Sequence, residues 1–116
     1  MAASQRYYFS IDDIAHARGN IDALSFQGGS PEHFAAALQA ALREPTLWSR
    51  WRAMQPDPDA VDEALGASDP QAQVTARQSD LHCDAEVVTS LPHAIIKHRL
   101  TLLVGNHWRL RDVKAA

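Results

Sequence analysis

Five groups of residues in this 116-residue chain have types and spacing that could support chemistry. Gly28-Gly29-Ser30 stands directly before Pro31, where glycines let backbone approach a ligand and a helix N-terminus offers free N–H groups to a phosphate or carboxylate. The flanking residues match neither the phosphate-loop pattern nor the dinucleotide-binding glycine pattern, and a turn into a helix often needs glycine anyway. Cys83 is the only thiol, and its neighbour His82 points to the opposite side if both lie in a strand, so no Cys–His pair is expected. Asp84 and Glu86, at i and i+2, share one side and resemble an acid/base pair, but salt-bridged residues on a wet sheet explain them more simply. The six histidines lack His-x-x-x-His spacing, and no Cys-x-x-Cys accompanies them, so no metal or cofactor is expected. Trp48-Ser49-Arg50-Trp51-Arg52 interleaves bases and aromatics as nucleic-acid-binding segments can, yet helical spacing sends the tryptophans inward and the arginines to water.

The elements that would position these groups are read from periodicity. Leu81–Val113 carries two turn signals, Pro92-His93 and Gly105-Asn106, and reads as an antiparallel sheet of three strands. Two-residue turns there would set Leu103 opposite Trp108, Thr101 opposite Leu110, and Glu86, Arg99 and Asp112 side by side. One side then holds Leu81, Cys83, Ala85, Val87, Ala94, Ile96, Leu100, Leu102, Val104 and Val113, with Thr89, His98, His107, Arg109 and Arg111 against the pattern. The other side is polar except for Ile95, Leu103, Trp108 and Leu110. Leu103, Trp108 and Leu110 gather near the last turn, and an exposed apolar patch of that kind suggests a partner surface.

Arg6–Ile11 reads as another strand, followed by a short helix from Ser10 to Gly19-Asn20 and a short strand at Leu24–Gln27. Ser30-Pro31-Glu32 is a clear helix start, with Phe34, Leu38, Ala41 and Leu42 forming one stripe and Pro45 ending the helix near Arg43. Thr46 opens a second helix, in which Leu47, Trp48, Trp51 and Met54 face inward. Residues 55–73 form an acidic, proline-containing loop with five carboxylates and no base. Loops of that length are commonly functional or mobile. Val74–Gln78 resumes as an edge strand.

The expected fold is α+β: a mostly antiparallel sheet of four to six strands with two consecutive helices packed on one face, spanning residues 1–116 as one domain. A formal charge of −3 gives no general attraction to nucleic acid or to anionic membrane, so neither is expected as a partner. With no apolar run near 20 residues and a lone cysteine, a cytoplasmic protein is expected, and nine arginines against two lysines hint at a GC-rich bacterial genome. The function read from these features is a small binding or regulatory module acting by protein–protein contact, with a homodimer through Leu103, Trp108 and Leu110 as one form. No catalytic residue is assigned. The alternative is a small-ligand or anion-binding domain, conceivably an enzyme, using Gly28, Gly29 and Ser30 with the 55–73 loop as lid.

Overall fold

The computed structural model describes residues 4–79 and 82–116. Leu81, expected on the apolar side of the sheet, lies outside the described residues, as do Met1–Ala3 and Asp80. Among the described residues, four strands form one antiparallel sheet: β1 (Gln5–Asp12), β2 (Gln73–Ser79), β3 (His82–Thr89) and β4 (Trp108–Ala115). Three α-helices accompany it: α1 (Pro31–Arg43), α2 (Thr46–Ala53) and α3 (His93–Val104). The sheet order is β2-β3-β1-β4, and every neighbouring pair is antiparallel. β1 and β2 therefore run parallel with β3 between them, and β3 and β4 run parallel with β1 between them. Two βαβ units are thus interleaved, the split βαβ arrangement. The fold is α+β, with α1 and α2 consecutive.

The first helix forms as its residues dictate. Ser30 has extended backbone angles, and its hydroxyl accepts the His33 N–H at 3.2 Å. Pro31 occupies the first turn, where its missing N–H costs nothing. Phe34, Leu38, Ala41 and Leu42 are all buried against the sheet. Truncating Phe34, Leu38 or Leu42 to alanine is expected to cost about 2–5 kcal/mol each, so this stripe docks the helix. In α2, Trp48 is buried, but Met54 is 47% exposed and Trp51 only half-buried, so the inward face is narrower than its spacing suggests.

The main correction concerns residues 93–104, expected as a strand and found as α3. Ile95, Ile96, Arg99, Leu100, Leu102, Leu103 and Val104 are all buried, leaving Ala94, Lys97 and Thr101 as the exposed stripe. A helix buried on most sides loses its amphipathic signature, and its β-branched residues then mimic a strand. Pro92 does not turn a hairpin; its carbonyl accepts the Ile95 N–H at 3.1 Å and opens the helix. Gly105 does have positive φ, +64°, but it ends α3, where a Cβ would stand 2.8 Å from the Arg18 carbonyl oxygen.

With α3 a helix, β4 has no hairpin partner behind it and pairs with β1 instead. Its sidedness flips over Trp108–Leu110, while a bulge beyond Leu110 leaves Asp112 on the side of Glu86 and Val113 on the side of Tyr7, where the sequence places them. Trp108 and Leu110 turn toward the helices and pack on the core, while Arg109 stands opposite Ser10 on the other side. A single-residue change of register always exchanges the two faces in this way. The expected Glu86–Arg99–Asp112 row does not form. Glu86 and Asp112 do share a rung, but the residue between them is Tyr8.

Two smaller expectations also fail. β1 extends through Asp12, so the helix expected from Ser10 reduces to one turn, with the Ala17 N–H bonded to the Asp13 carbonyl at 2.8 Å. Leu24–Gln27 is no strand: Asp22–Leu24 forms a 3-10 turn and the Phe26 N–H is taken by the Leu103 carbonyl at 2.8 Å.

Candidate functional site: the uncovered face of the sheet

Among the described residues, helices cover one side of the sheet only. Along β3 burial alternates residue by residue: Cys83, Ala85, Val87 and Thr89 are buried beneath the helices, while His82, Asp84, Glu86 and Val88 are half-exposed on the other side. On β1, Tyr7, Phe9 and Ile11 join the core and Arg6 and Tyr8 face away. The uncovered face therefore carries Tyr8 at its centre, flanked by Glu86 on β3 and Asp112 on β4. Arg6 Nη1 lies 3.7 Å from Glu86 Oε1, and Lys114 Nζ lies 5.6 Å from the Tyr8 ring centre. A bulge between Tyr8 and Phe9 leaves Arg111 unpaired in the register, and a shallow depression of about 670 Å³ lies on this face. Tyr8, Thr75, Asp84, Glu86, Arg111 and Lys114 line it. A volume in this range suits a ligand, but the depression is open along its length and its walls are charged, unlike an enclosed apolar pocket.

The residues singled out by the sequence are not brought together. Leu103 is buried in α3. Trp108 and Leu110 lie on the helix-facing side of β4, half-buried, with the Trp108 ring edge-on to Phe9 at 5.8 Å and its indole N–H donated to Thr101 Oγ1 at 3.3 Å. Leu110 instead borders a second shallow depression, about 590 Å³, beside Tyr7, Leu91, His93 and Val113. The three residues thus do not form one surface patch, because their expected side depended on the hairpin that α3 replaces.

Gly28, Gly29 and Ser30 do stand at the N-terminus of α1. A Cβ on Gly28 would sit 2.7 Å from His33 Cβ and 2.8 Å from the Phe26 ring, so packing alone requires this glycine. The expected lid is tied elsewhere. Asp69 donates its N–H to the Leu42 carbonyl at 2.8 Å, in the last turn of α1, which places the loop's anchor about 18 Å along the helix from Ser30 at 1.5 Å per residue.

Residues 55–73 are fastened rather than free. The Asp69 carboxylate accepts from Thr89 Oγ1 at 2.7 Å, from the Ser90 N–H at 3.1 Å and from the Gln71 N–H at 2.9 Å. Burial alone would raise its pKa, but these donors outweigh burial and hold the carboxyl below its ordinary value. Arg99, fully buried, donates from Nη2 to the carbonyls of Leu65 and Ala67 at 2.7 and 3.2 Å, while Gly66 between them rests on the Trp48 ring. Arg52 donates to the Pro58 carbonyl at 2.9 Å and stands 3.8 Å from both Asp59 and Glu63. The 3-10 turns Pro58–Ala60 and Glu63–Gly66 form between these ties.

The remaining candidates are positioned as structure. Cys83 is buried beneath the helices, and burial first, with Asp84 second, pushes its thiol up to about 11. A thiol so rarely ionised is a poor nucleophile. His82 Nε2 lies 3.1 Å from Asp84 Oδ1 on the uncovered face. His98 packs edge-on to Trp51 at 4.4 Å, and burial followed by the Arg99 charge keeps its pKa below the ordinary value. Among the described residues, no three or more His, Cys, Asp or Glu side chains converge in a way that could hold a metal ion, and no helix is long and apolar enough to cross a membrane. The chain matches no family model, no curated protein and no solved structure.

Sequence reasoning missed two features of this region. The centrality of Tyr8 was legible only as one aromatic in a strand rich in them. The Asp69–Thr89 pair left a trace, since Thr89 interrupts the apolar side of β3 and a buried hydroxyl there needs a partner.

Proposed function

We propose that this chain is a small binding module that acts by protein contact, and that the contact surface is the uncovered face of the sheet. One observation carries the reading: among the described residues no helix lies over one face of the four-stranded sheet, and a tyrosine flanked by carboxylates stands on its inner strand β1. Tyrosine and arginine are the residue types that most often anchor protein interfaces, since they bury much area and still satisfy hydrogen bonds. Tyr8, Arg6, Arg109 and Arg111 supply both types on this face. The reading keeps a cytoplasmic, bacterial setting, supported by the lone buried cysteine and the preference for arginine over lysine. The small-ligand alternative at Gly28–Ser30 draws no comparable support, because the Ser30 hydroxyl already caps the helix from within.

The test is differential capture on the immobilised chain from an extract of its native cell, comparing wild type with Tyr8→Ala and with Arg109→Glu/Arg111→Glu. The expected result is a protein, the chain itself included, that wild type retains and both variants lose by tenfold or more. Retention that ignores these substitutions, or no retained protein at all, overturns the reading.

A further inference from the structure

We propose that Leu65-Gly66-Ala67 stands in for the ligand of an anion site between α2 and α3, and that a carboxylate or phosphate takes its place on Arg99 when residues 59–68 swing away. The site is separate from the uncovered face and independent of the contact-surface reading.

Three side chains lie against this strap. Arg99 donates from Nη2 to the carbonyls of Leu65 and Ala67, and Gly66 between them is so close to Trp48 that a Cβ there would stand 2.7 Å from the ring. Arg52 stands over the same indole, its Cζ 5.5 Å from the ring centre. Arg99 is fully buried and Trp48 is 7% exposed, yet Arg99 Nε, Arg99 Nη1 and Trp48 Nε1 find no hydrogen-bond partner among the described residues. All three are donors. Among the described residues Arg99 also forms no ion pair, so its charge is met by two neutral carbonyls only. A buried charge without a counter-ion is costly, and a hydrogen bond between two ionised groups is roughly twice as strong as a neutral one. An oxyanion therefore satisfies this cluster better than the backbone that covers it.

The strap already imitates such a ligand. Asp59 and Glu63 each lie 3.8 Å from Arg52 Nη2, so carboxylates sit on one guanidinium and carbonyls on the other. It is also lightly held. No residue from 55 to 68 is buried, and among the described residues the only hydrogen bonds that reach 59–68 from outside the loop are the two from Arg99. Both ends are fastened, by Arg52 Nε at the Pro58 carbonyl and by Thr89 and Ser90 at Asp69. Segments with few buried contacts open locally at a fraction of the global unfolding free energy, so 59–68 swings between two fixed points. Opening frees Arg52 Nη2 from Asp59 and Glu63 and frees Arg99 from its carbonyls. Two guanidinium groups then flank one indole.

Hydrogen exchange of the full chain, read over 59–68 with about 50 mM inorganic phosphate or acetate against chloride at equal ionic strength, tests this. A ligand that binds the open form raises its population by one plus the ratio of ligand concentration to Kd, so exchange over 59–68 is expected to rise at least about threefold while β3 is unchanged. Which of the two anions acts tells phosphate from carboxylate. Gly66→Ala, whose added methyl collides with the Trp48 ring, is expected to open the strap and to lower the half-saturating anion concentration by about tenfold, because less closed form competes. Arg99→Met is expected to lose the response. Thermal melts show whether that variant is folded; should it fail to fold, Arg52→Gln is expected to weaken anion binding at least about threefold. Exchange over 59–68 that neither anion accelerates, or acceleration equally strong in folded Arg99→Met or in Arg52→Gln, overturns the proposal. So does a Gly66→Ala chain whose strap opens and that binds the anion no better than wild type.

Discussion

Replacing Asp69 by asparagine keeps the shape of the side chain and removes its ability to accept at both ends. The carboxylate takes three hydrogen bonds, from Thr89 Oγ1, the Ser90 N–H and the Gln71 N–H, and is almost wholly buried. An amide nitrogen must then face at least one of these donors, leaving it unsatisfied. Hydrogen bonds to a charged group contribute about 1.5–3 kcal/mol, and an orphaned buried donor costs about 1–3, so Asp69→Asn is expected to lose about 2–4 kcal/mol. In a domain of this size that lowers the melting temperature by roughly 10 °C. Because the folded-state pKa of Asp69 is depressed, its contribution is fully present above the unfolded value near 3.9 and is lost as pH falls through the lower folded value. The gap between wild type and variant should therefore be constant at neutral pH and close in acid. Urea unfolding followed by tryptophan fluorescence at several pH values measures it. A loss under about 0.5 kcal/mol at pH 7, or a gap that does not close in acid, would refute the assignment of Asp69 as the loop's anchor.

Other consequences concern the buried groups. Cys83, its thiol raised to about 11, is expected to resist aromatic disulfide reagents at pH 8 in the folded chain and to react promptly in urea; prompt labelling without denaturant would contradict its burial. Burial, followed by the Arg99 charge, lowers the pKa of His98 in the folded state, so as pH falls below about 6.5 the unfolded chain takes up a proton first and stability drops until the lower folded value is passed. His98→Phe should remove that part of the slope, and an unchanged slope would point elsewhere. Among the described residues Arg99 Nε and Nη1 find no partner, and burial lowers the pKa of the side chain. Arg99→Met relieves that desolvation while losing the two hydrogen bonds from Nη2, whereas Arg99→Lys keeps a buried charge on a side chain one atom shorter than the reach to Nη2. The lysine variant is thus expected to be the less stable of the two by denaturant unfolding, and the reverse order would refute the claim that desolvation of the charge outweighs its two hydrogen bonds.

Much of the fold was legible where a residue's local effect and its tertiary role coincide. Ser30, Pro31 and the Phe34–Leu42 stripe specify α1 without help from the rest of the chain. Tyr7, Phe9 and Ile11 alternate as a half-covered strand should, and β2 is the edge its polar pattern implies. Residues 93–104 mislead because burial on nearly every side erases the 3.6-residue period. Pro92 and Gly105 then suit hairpin turns as well as helix ends. The signal that separates the two is the spacing of Ala94, Lys97 and Thr101, which share one side of a helix but not of a strand. The error propagated to the site, since the placement of Leu103, Trp108 and Leu110 on one patch required that hairpin. Asp84 and Glu86 survived it, because β3 keeps its sidedness whichever strand lies beside it. Arg99 shows the other limit: its spacing matched a cross-strand ion pair, and no pattern in the sequence shows that carbonyls of a distant loop receive it instead.

The role of the uncovered face is tested most directly by placing a photo-reactive benzoylphenylalanine at position 8 and, as a comparison, at position 29, where the backbone is open to solvent. Irradiation in the native cell should produce a covalent adduct from position 8, with a second copy of the chain or another protein, and none from position 29. An adduct from position 29 with nothing captured at position 8 would contradict it.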